Sequence, residues 1–286
     1  MALRGKKPEE RVQRLKLLMS GPAGVGKTTA ASQMPRPYII DTERGSVHYG
    51  DMIEKSGGAV FETSSCDEVI REVRSLITED HPYLTLVIDS STPLFDEAID
   101  EGESVDGTEY GKHYVYAGKK FKRLFSLLSQ VDMNVIVTAH EKMFRVNDEE
   151  TRRTFDGWKK LDYAFDLWLI LQREFGKPQR SAFVSKTRLK EFPDGETFPW
   201  SYKTISDRYG AEKLERGVET VELASAEQAA ELRMLLSKLS PDEMKQLKVD
   251  KAIKGYDDPE DMPADKAERA LDFIRTYLRG PQQEVA

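Results

Sequence analysis

Residues 21–28 read Gly21-Pro22-Ala23-Gly24-Val25-Gly26-Lys27-Thr28, a fit to the pattern G-x-x-x-x-G-K-[ST]. The surroundings suit the pattern. Residues 15–19 are short and apolar, as a buried strand is, and residues 27–34 have the spacing of a helix. Glycines in such a loop let the backbone curl until successive N–H groups and the start of the helix face one point, over which Lys27 reaches the outer oxygens of a polyphosphate. Thr28 then offers its hydroxyl to Mg²⁺, whose other ligands are waters and phosphate oxygens. Residues 21–29, Thr29 included, are the expected seat of a nucleotide.

The rest of the chain fits a fold that can hold such a loop. Apolar, largely β-branched stretches at 38–40, 84–88 and 135–137 alternate with helical stretches at 67–78, 91–100 and 113–130. This rhythm implies a mainly parallel sheet covered on both faces. Past residue 160 strand follows strand, at 165–171, 181–185 and 197–203, separated by turns at Gly176-Lys177-Pro178 and Pro193-Asp194-Gly195. These read as antiparallel additions at one edge. Residues 225–280 are rich in Ala, Leu, Lys, Glu and Asp, and helices are expected at 226–239 behind a Ser225 N-cap, just after residues 240–242, and at 264–278. A length of 286 residues accommodates one large α/β core and a small appendage. The expected organisation is a basic arm at 1–14, a core at 15–218 and an acidic helical module at 222–286.

Charge follows the same division. Lys and Arg number 43 against 50 Asp and Glu, a net charge of −7. Residues 219–286 carry 15 acidic and 10 basic side chains, net −5, whereas residues 1–16 carry six basic and two acidic. The acidic total argues against coating nucleic acid along the whole surface and leaves local basic patches open. One cysteine, Cys66, makes neither an internal disulfide nor a cysteine metal cluster, and His48, His81, His113 and His140 show no ligand spacing with it, so no zinc site is expected. Apolar runs such as 84–88 and 167–171 fall far short of the roughly 18 residues that cross a bilayer. The basic start lacks the apolar stretch of a secretory signal, so a cytoplasmic protein is expected.

A nucleotide site also needs an acid that holds the metal through water at the end of a neighbouring strand, and Thr85-Leu-Val-Ile-Asp89-Ser90 supplies Asp89. Hydrolysis needs a group that polarises the attacking water in line with the γ-phosphate. In many AAA+ ATPases a Glu directly follows the metal-site Asp, but Ser90 occupies that position here. Tyr38-Ile-Ile-Asp-Thr-Glu43 ends the second strand and provides Glu43 instead, with Asp41 shaping the strand end.

These segments resemble the RecA-type recombinase and helicase superfamily. YIIDTERG is similar to that family's segment bearing the catalytic carboxylate, which implies the role for Glu43, and LVIDS is similar to its metal-site strand. Asn134-Val-Ile-Val-Thr-Ala-His140 resembles the strand ending in a polar γ-phosphate sensor, often Gln in recombinases and His in replicative helicases. Val184-Ser-Lys186-Thr-Arg188 resembles the K-x-R finger inserted into the next subunit's ATP site. The resemblance covers residues 15 to about 205 in the right order and is closest to short phage-encoded RecA-like ATPases of single-strand annealing and recombination. It implies an α/β RecA-like P-loop core with a small C-terminal helical module. It further implies ATP and Mg²⁺ as cofactors, and catalysis by Lys27, Glu43 and His140, with Lys186 and Arg188 acting in trans within a homo-oligomeric filament or ring.

The same resemblance implies single-stranded DNA as partner, held on two loops. Residues 141–160 carry six basic and five acidic side chains, among them Arg145, Arg152, Arg153, Lys159 and Lys160, which can follow a backbone while Trp158 stacks on a base. Residues 100–118, with Tyr110, Lys112, His113, Tyr114 and Tyr116, form the other candidate. The expected function is ATP-dependent, DNA-stimulated strand annealing or exchange, with the C-terminal helices engaging single-strand-binding or other recombination proteins. Two alternatives stand beside it: a ring-forming helicase motor, favoured by His140 and Lys-Thr-Arg188, and a nucleotide-sensing module that recruits partners.

Overall fold

The computed structural model describes residues 13–145, 151–173, 179–247, 253 and 255–279. Along the chain run β1 Lys16–Ser20, α1 Lys27–Ser32, β2 Pro37–Asp41, α2 Gly50–Lys55, β3 Ala59–Glu62, α3 Cys66–Thr78, β4 Thr85–Asp89, α4 Ser91–Asp106 and α5 Lys112–Leu128. There follow β5 Asn134–Ala139, β6 Glu141–Arg145, β7 Thr151–Phe155, β8 Leu167–Arg173, β9 Arg180–Thr187, β10 Thr197–Pro199, α6 Tyr202–Tyr209, α7 Ala211–Leu214, α8 Ala226–Leu236, α9 Pro241–Leu247 and α10 Ala264–Arg279. Except for residues 13 and 14, the basic arm lies outside the described residues, as does the Gly176–Pro178 turn.

Eight strands form one sheet in the order β10-β9-β8-β1-β5-β4-β2-β3. The pairings of β8, β1, β5, β4, β2 and β3 are parallel, while β9 and β10 are antiparallel. This is the α/β class expected, with a mainly parallel sheet and antiparallel strands at one edge. β4 and β5 are buried at every residue, which explains why they read as unbroken apolar runs rather than as alternating ones.

The structure differs from expectation in three local places. The first late strand, β8, pairs in parallel with β1, so the antiparallel edge begins only at β9. The strand expected at 197–203 stops at Pro199, because the Ser201 side chain accepts from the Thr204 N–H and caps α6. Residues 141–155 contain a β-hairpin, β6 against β7, where a loop was expected.

The described chain forms two compact units. The first comprises Met1–Glu62, Tyr83–Ser91 and Met133–Val218 and contains the sheet. Its core gathers Leu15, Leu17, Met19, Val25, Ile39, Val87, Ile136, Leu169, Val184 and Phe198. The second comprises Thr63–Pro82, Thr92–Asp132 and Glu219–Ala286. Here α8 and α10 pack through Leu232, Leu235, Ala267, Leu271 and Ile274, and α8 opens with a capping box between Ser225 and Gln228. The buried carboxylate of Asp261 accepts from Arg74 of α3 at 2.9 Å and from Arg123 of α5 at 2.6 Å, so the C-terminal helices share this unit with α3 and α5.

Candidate nucleotide site

The site lies at the carboxyl ends of β1, β2, β4 and β5, where parallel strands of open α/β sheets present their loops. After β1 the chain turns through Gly21, with φ +153°, where a Cβ would stand 2.7 Å from the Leu171 carbonyl oxygen. Gly26, with φ +97°, leads into α1. Neither position admits another side chain without strain. The loop wraps a cavity of about 410 Å³ lined by residues 21–24 and 26–29 together with Glu43, Tyr49, Asp89, His140, Glu141 and Arg180. Val25 is the exception in the loop: its side chain is buried in the core.

Lys27 Nζ folds back onto the loop's own carbonyls, donating to Gly21 O at 2.7 Å and Pro22 O at 3.2 Å. Burial pushes its ammonium below the ordinary lysine value, against the opposing pull of the Asp89, Glu43 and Glu141 carboxylates. Thr28 Oγ1 donates to Asp89 Oδ2 at 2.5 Å, and Thr138 Oγ1 donates to Asp89 Oδ1. Burial raises the Asp89 carboxyl above its usual range, and these two hydroxyls counteract only part of the rise.

Glu43 reaches the same cavity because the end of β2 is tied to the end of β4. Thr42 N donates to Asp89 O at 2.9 Å, Thr42 Oγ1 donates to Ser90 O at 2.8 Å, and Ser90 N donates to Thr42 Oγ1 at 2.8 Å. Asp41 holds the turn from below, accepting from Glu43 N at 3.0 Å and from Ser46 N at 2.7 Å. Glu43 Oε1 then accepts from Ser90 Oγ at 2.6 Å and from His140 Nε2 at 2.6 Å.

The donor set suits Mg²⁺. Thr28 and Asp89 contribute hard oxygen atoms, and among the described residues no group of three His, Cys, Asp or Glu could cage a metal. A cation here would complete its shell with waters and phosphate oxygens, as Mg²⁺ does.

The other expected site residues lie elsewhere. Lys186 and Arg188 are not among the described residues lining the cavity. Lys186 Nζ donates to the carbonyls of Asp162 and Phe165, and Arg188 pairs with Asp166 at 2.9 Å. Burial, and next the charge of Arg188, lower the Lys186 ammonium. On the hairpin, Arg152 stands opposite Phe144, Arg153 opposite Met143 and Arg145 opposite Thr151. Met143 and Phe144 are 58% and 56% exposed, a large apolar surface for a two-stranded ribbon. Trp158 is half-buried, and Lys159 and Lys160 are exposed beyond it. Tyr49, Glu141 and Arg180 are cavity residues that no motif in the sequence marks.

A glycine-rich loop, a Thr–Asp pair and a carboxylate on the adjoining strand define a P-loop nucleotide site of the ATPase type. The chain belongs to the AAA-domain family AAA_24, which matches residues 13–189. Among solved structures it is similar to the RadB recombinase, with 19% identity over 72% of this chain and 91% of that one and a TM-score of 0.44. It is also similar to a KaiC-like protein of the hyperthermophilic archaeon Pyrococcus horikoshii OT3, with 16% identity over 64% and 83% of the two chains and a TM-score of 0.42. No curated protein matches the sequence. Among the described residues no helix is long and apolar enough to cross a membrane.

Proposed function

We propose that the protein is an ATP-dependent, single-stranded-DNA-binding recombination protein of phage type that promotes strand annealing or exchange. The observation that carries the ATPase half is the placement of Glu43, hydrogen-bonded to Ser90 and His140, on the same cavity as Lys27 and the Thr28–Asp89 pair. Mg·ATP binds on residues 21–29, with Thr28 and Asp89 on the metal side. Glu43 orients the attacking water, and His140 reports the γ-phosphate to it through their shared hydrogen bond. A bound metal supplies charge neutralisation at the phosphates.

Lys186 and Arg188 are outside the cavity of their own chain, as a contribution to the neighbouring subunit's site requires. Their bonds to the 162–166 segment would be exchanged for phosphate contacts on assembly. The β6–β7 hairpin supports the DNA half of the reading: Phe144 and Arg152 share one of its faces, and Met143, Arg145 and Arg153 the other, so each face pairs apolar with cationic surface. The Trp158–Lys160 turn extends that surface. The C-terminal helices are the proposed contact for further recombination proteins.

The test is phosphate release with and without single-stranded DNA for wild type, Lys27→Ala and Glu43→Gln, with a gel shift on the same strand. DNA-stimulated release that both substitutions abolish supports the reading. Undiminished turnover in Glu43→Gln removes its role, and no shift with any single strand removes the recombination function.

A further inference from the structure

We infer that Arg180 is a cis-acting phosphate ligand of this nucleotide site, holding the non-transferred phosphates from the side of the sheet opposite Glu43. The inference rests on the phosphate-loop reading above and adds a residue to it.

Arg180 is the first residue of β9, and its backbone is fixed there: it pairs with Arg173 of β8, and Trp200 N donates to its carbonyl at 2.9 Å. From this position the side chain lies across the phosphate loop. A Cβ on Gly26 would stand 2.9 Å from Arg180 Nη1 and 3.2 Å from its Cζ, so the guanidinium occupies the space that the missing side chain leaves. It also lines the cavity.

What is missing around it points to a ligand. Nε of Arg180 is buried and has no hydrogen-bond partner among the described residues. No ion pair involves Arg180 among the described residues, whereas Arg14, Arg123, Arg188, Arg208 and Arg275, among others, face a carboxylate or a carbonyl. The acids of the cavity are engaged elsewhere: Asp89 with Thr28 and Thr138, Glu43 with Ser90 and His140, and Glu141 with Arg153 at 3.2 Å. A planar five-donor cation beside a polar cavity, without an acceptor of its own, is costly to bury and suited to bidentate phosphate oxygens. Lys27, the other cation of the cavity, already rests on loop carbonyls.

The sheet order specifies which phosphates. β9 lies two strands to one side of β1, while β2, which carries Glu43, lies three strands to the other. A water polarised by Glu43 marks the end of the terminal phosphate. Arg180, across β1 from it, meets the phosphates that ADP and ATP have in common. Its contribution is therefore to binding of both nucleotides alike, unlike a finger that acts on the transferred group.

The test measures affinity for Mg·ATP and Mg·ADP directly, by displacement of a fluorescent nucleotide, for wild type, Arg180→Ala, Arg180→Gln and Lys27→Ala. Removing a charge-assisted contact weakens binding roughly tenfold to a hundredfold, and the same factor is expected for ATP and for ADP in both Arg180 variants. If Arg180→Ala does not fold, Arg180→Gln decides, since it keeps part of the aliphatic stem and a polar end while removing the charged fork. Wild-type affinity in a folded Arg180 variant overturns the inference, as does a loss confined to ATP, which would put the guanidinium on the terminal phosphate. Failure of the wild type to bind either nucleotide overturns the phosphate-loop reading itself and is distinguishable from both.

Discussion

His140 Nε2 donates to Glu43 Oε1 at 2.6 Å, across the gap between the ends of β5 and β2. Both side chains are nearly half exposed, at 47% and 41%, so the pair contributes little to stability and its value lies in positioning. His140→Ala should change stability by no more than about 0.5 kcal/mol, as is typical of surface changes. Its turnover should fall by roughly tenfold, and that of Glu43→Gln by roughly a hundredfold or more, as for a displaced general base. Phosphate-release kinetics beside a melting curve separate the two effects. A large loss of stability in His140→Ala would make the histidine structural.

Asp89 is held on both oxygens by hydroxyls, from Thr28 and from the fully buried Thr138. Thr138→Val keeps the shape and removes one donor from a buried carboxylate. The expected cost is about 1–3 kcal/mol in urea unfolding. The carboxyl, already raised by burial, should rise further.

Burial alone would raise the Asp41 carboxyl, but hydrogen bonds from Ser46, Glu43 and Gly45 outweigh it and hold the group below its ordinary value. A carboxylate whose folded value is depressed stabilises the fold fully above its unfolded value, and that contribution fades as pH falls through the folded one. Asp41→Asn keeps one acceptor and turns a donor toward a backbone N–H, so it should destabilise by about 1–2 kcal/mol near pH 7. The gap from wild type should narrow in melts taken progressively below pH 4. An equal gap at all pH values would show that the charge plays no part.

Cys66 is buried at the start of α3, and burial pushes its thiol up to about 12. The folded protein therefore keeps the thiol protonated where an unfolded chain would ionise, and this contribution is lost as pH rises from about 9 toward 12. At pH 8 a thiol-reactive dye should not label the native protein over minutes and should label it fully in denaturant. Rapid native labelling would mean that α3 opens readily.

Much of the site is legible in the linear sequence because its signals are local. The spacing from Gly21 to Thr28, and acids at the ends of apolar runs, carry Lys27, Thr28, Glu43 and Asp89 to one cavity, since the loop and helix start follow β1 and the acids stand at or just past the ends of β2 and β4, strands that hydrophobic patterning alone reveals. The β6–β7 hairpin is not legible, because its apolar residues Met143 and Phe144 stay exposed, so burial imposes no alternation on the pattern. The α6 boundary turned on one side-chain cap, Ser201 to Thr204, inside a stretch whose composition suits a strand.

The amino-acid order is thus enough for the phosphate loop, the alternation of strand and helix and the acids that face the loop, all set by interactions within a few residues. Long-range pairing supplied the rest. The parallel docking of β8 beside β1 and the antiparallel return of β9 bring residue 180 against residue 26, a juxtaposition created by backbone hydrogen bonds across the sheet. The same holds for Asp261 and its two arginines, where a carboxylate late in the chain neutralises cations on helices that lie well over a hundred residues earlier. No periodicity records either contact, because strand pairing selects the first and the burial of charge the second, and both act between residues far apart in the chain.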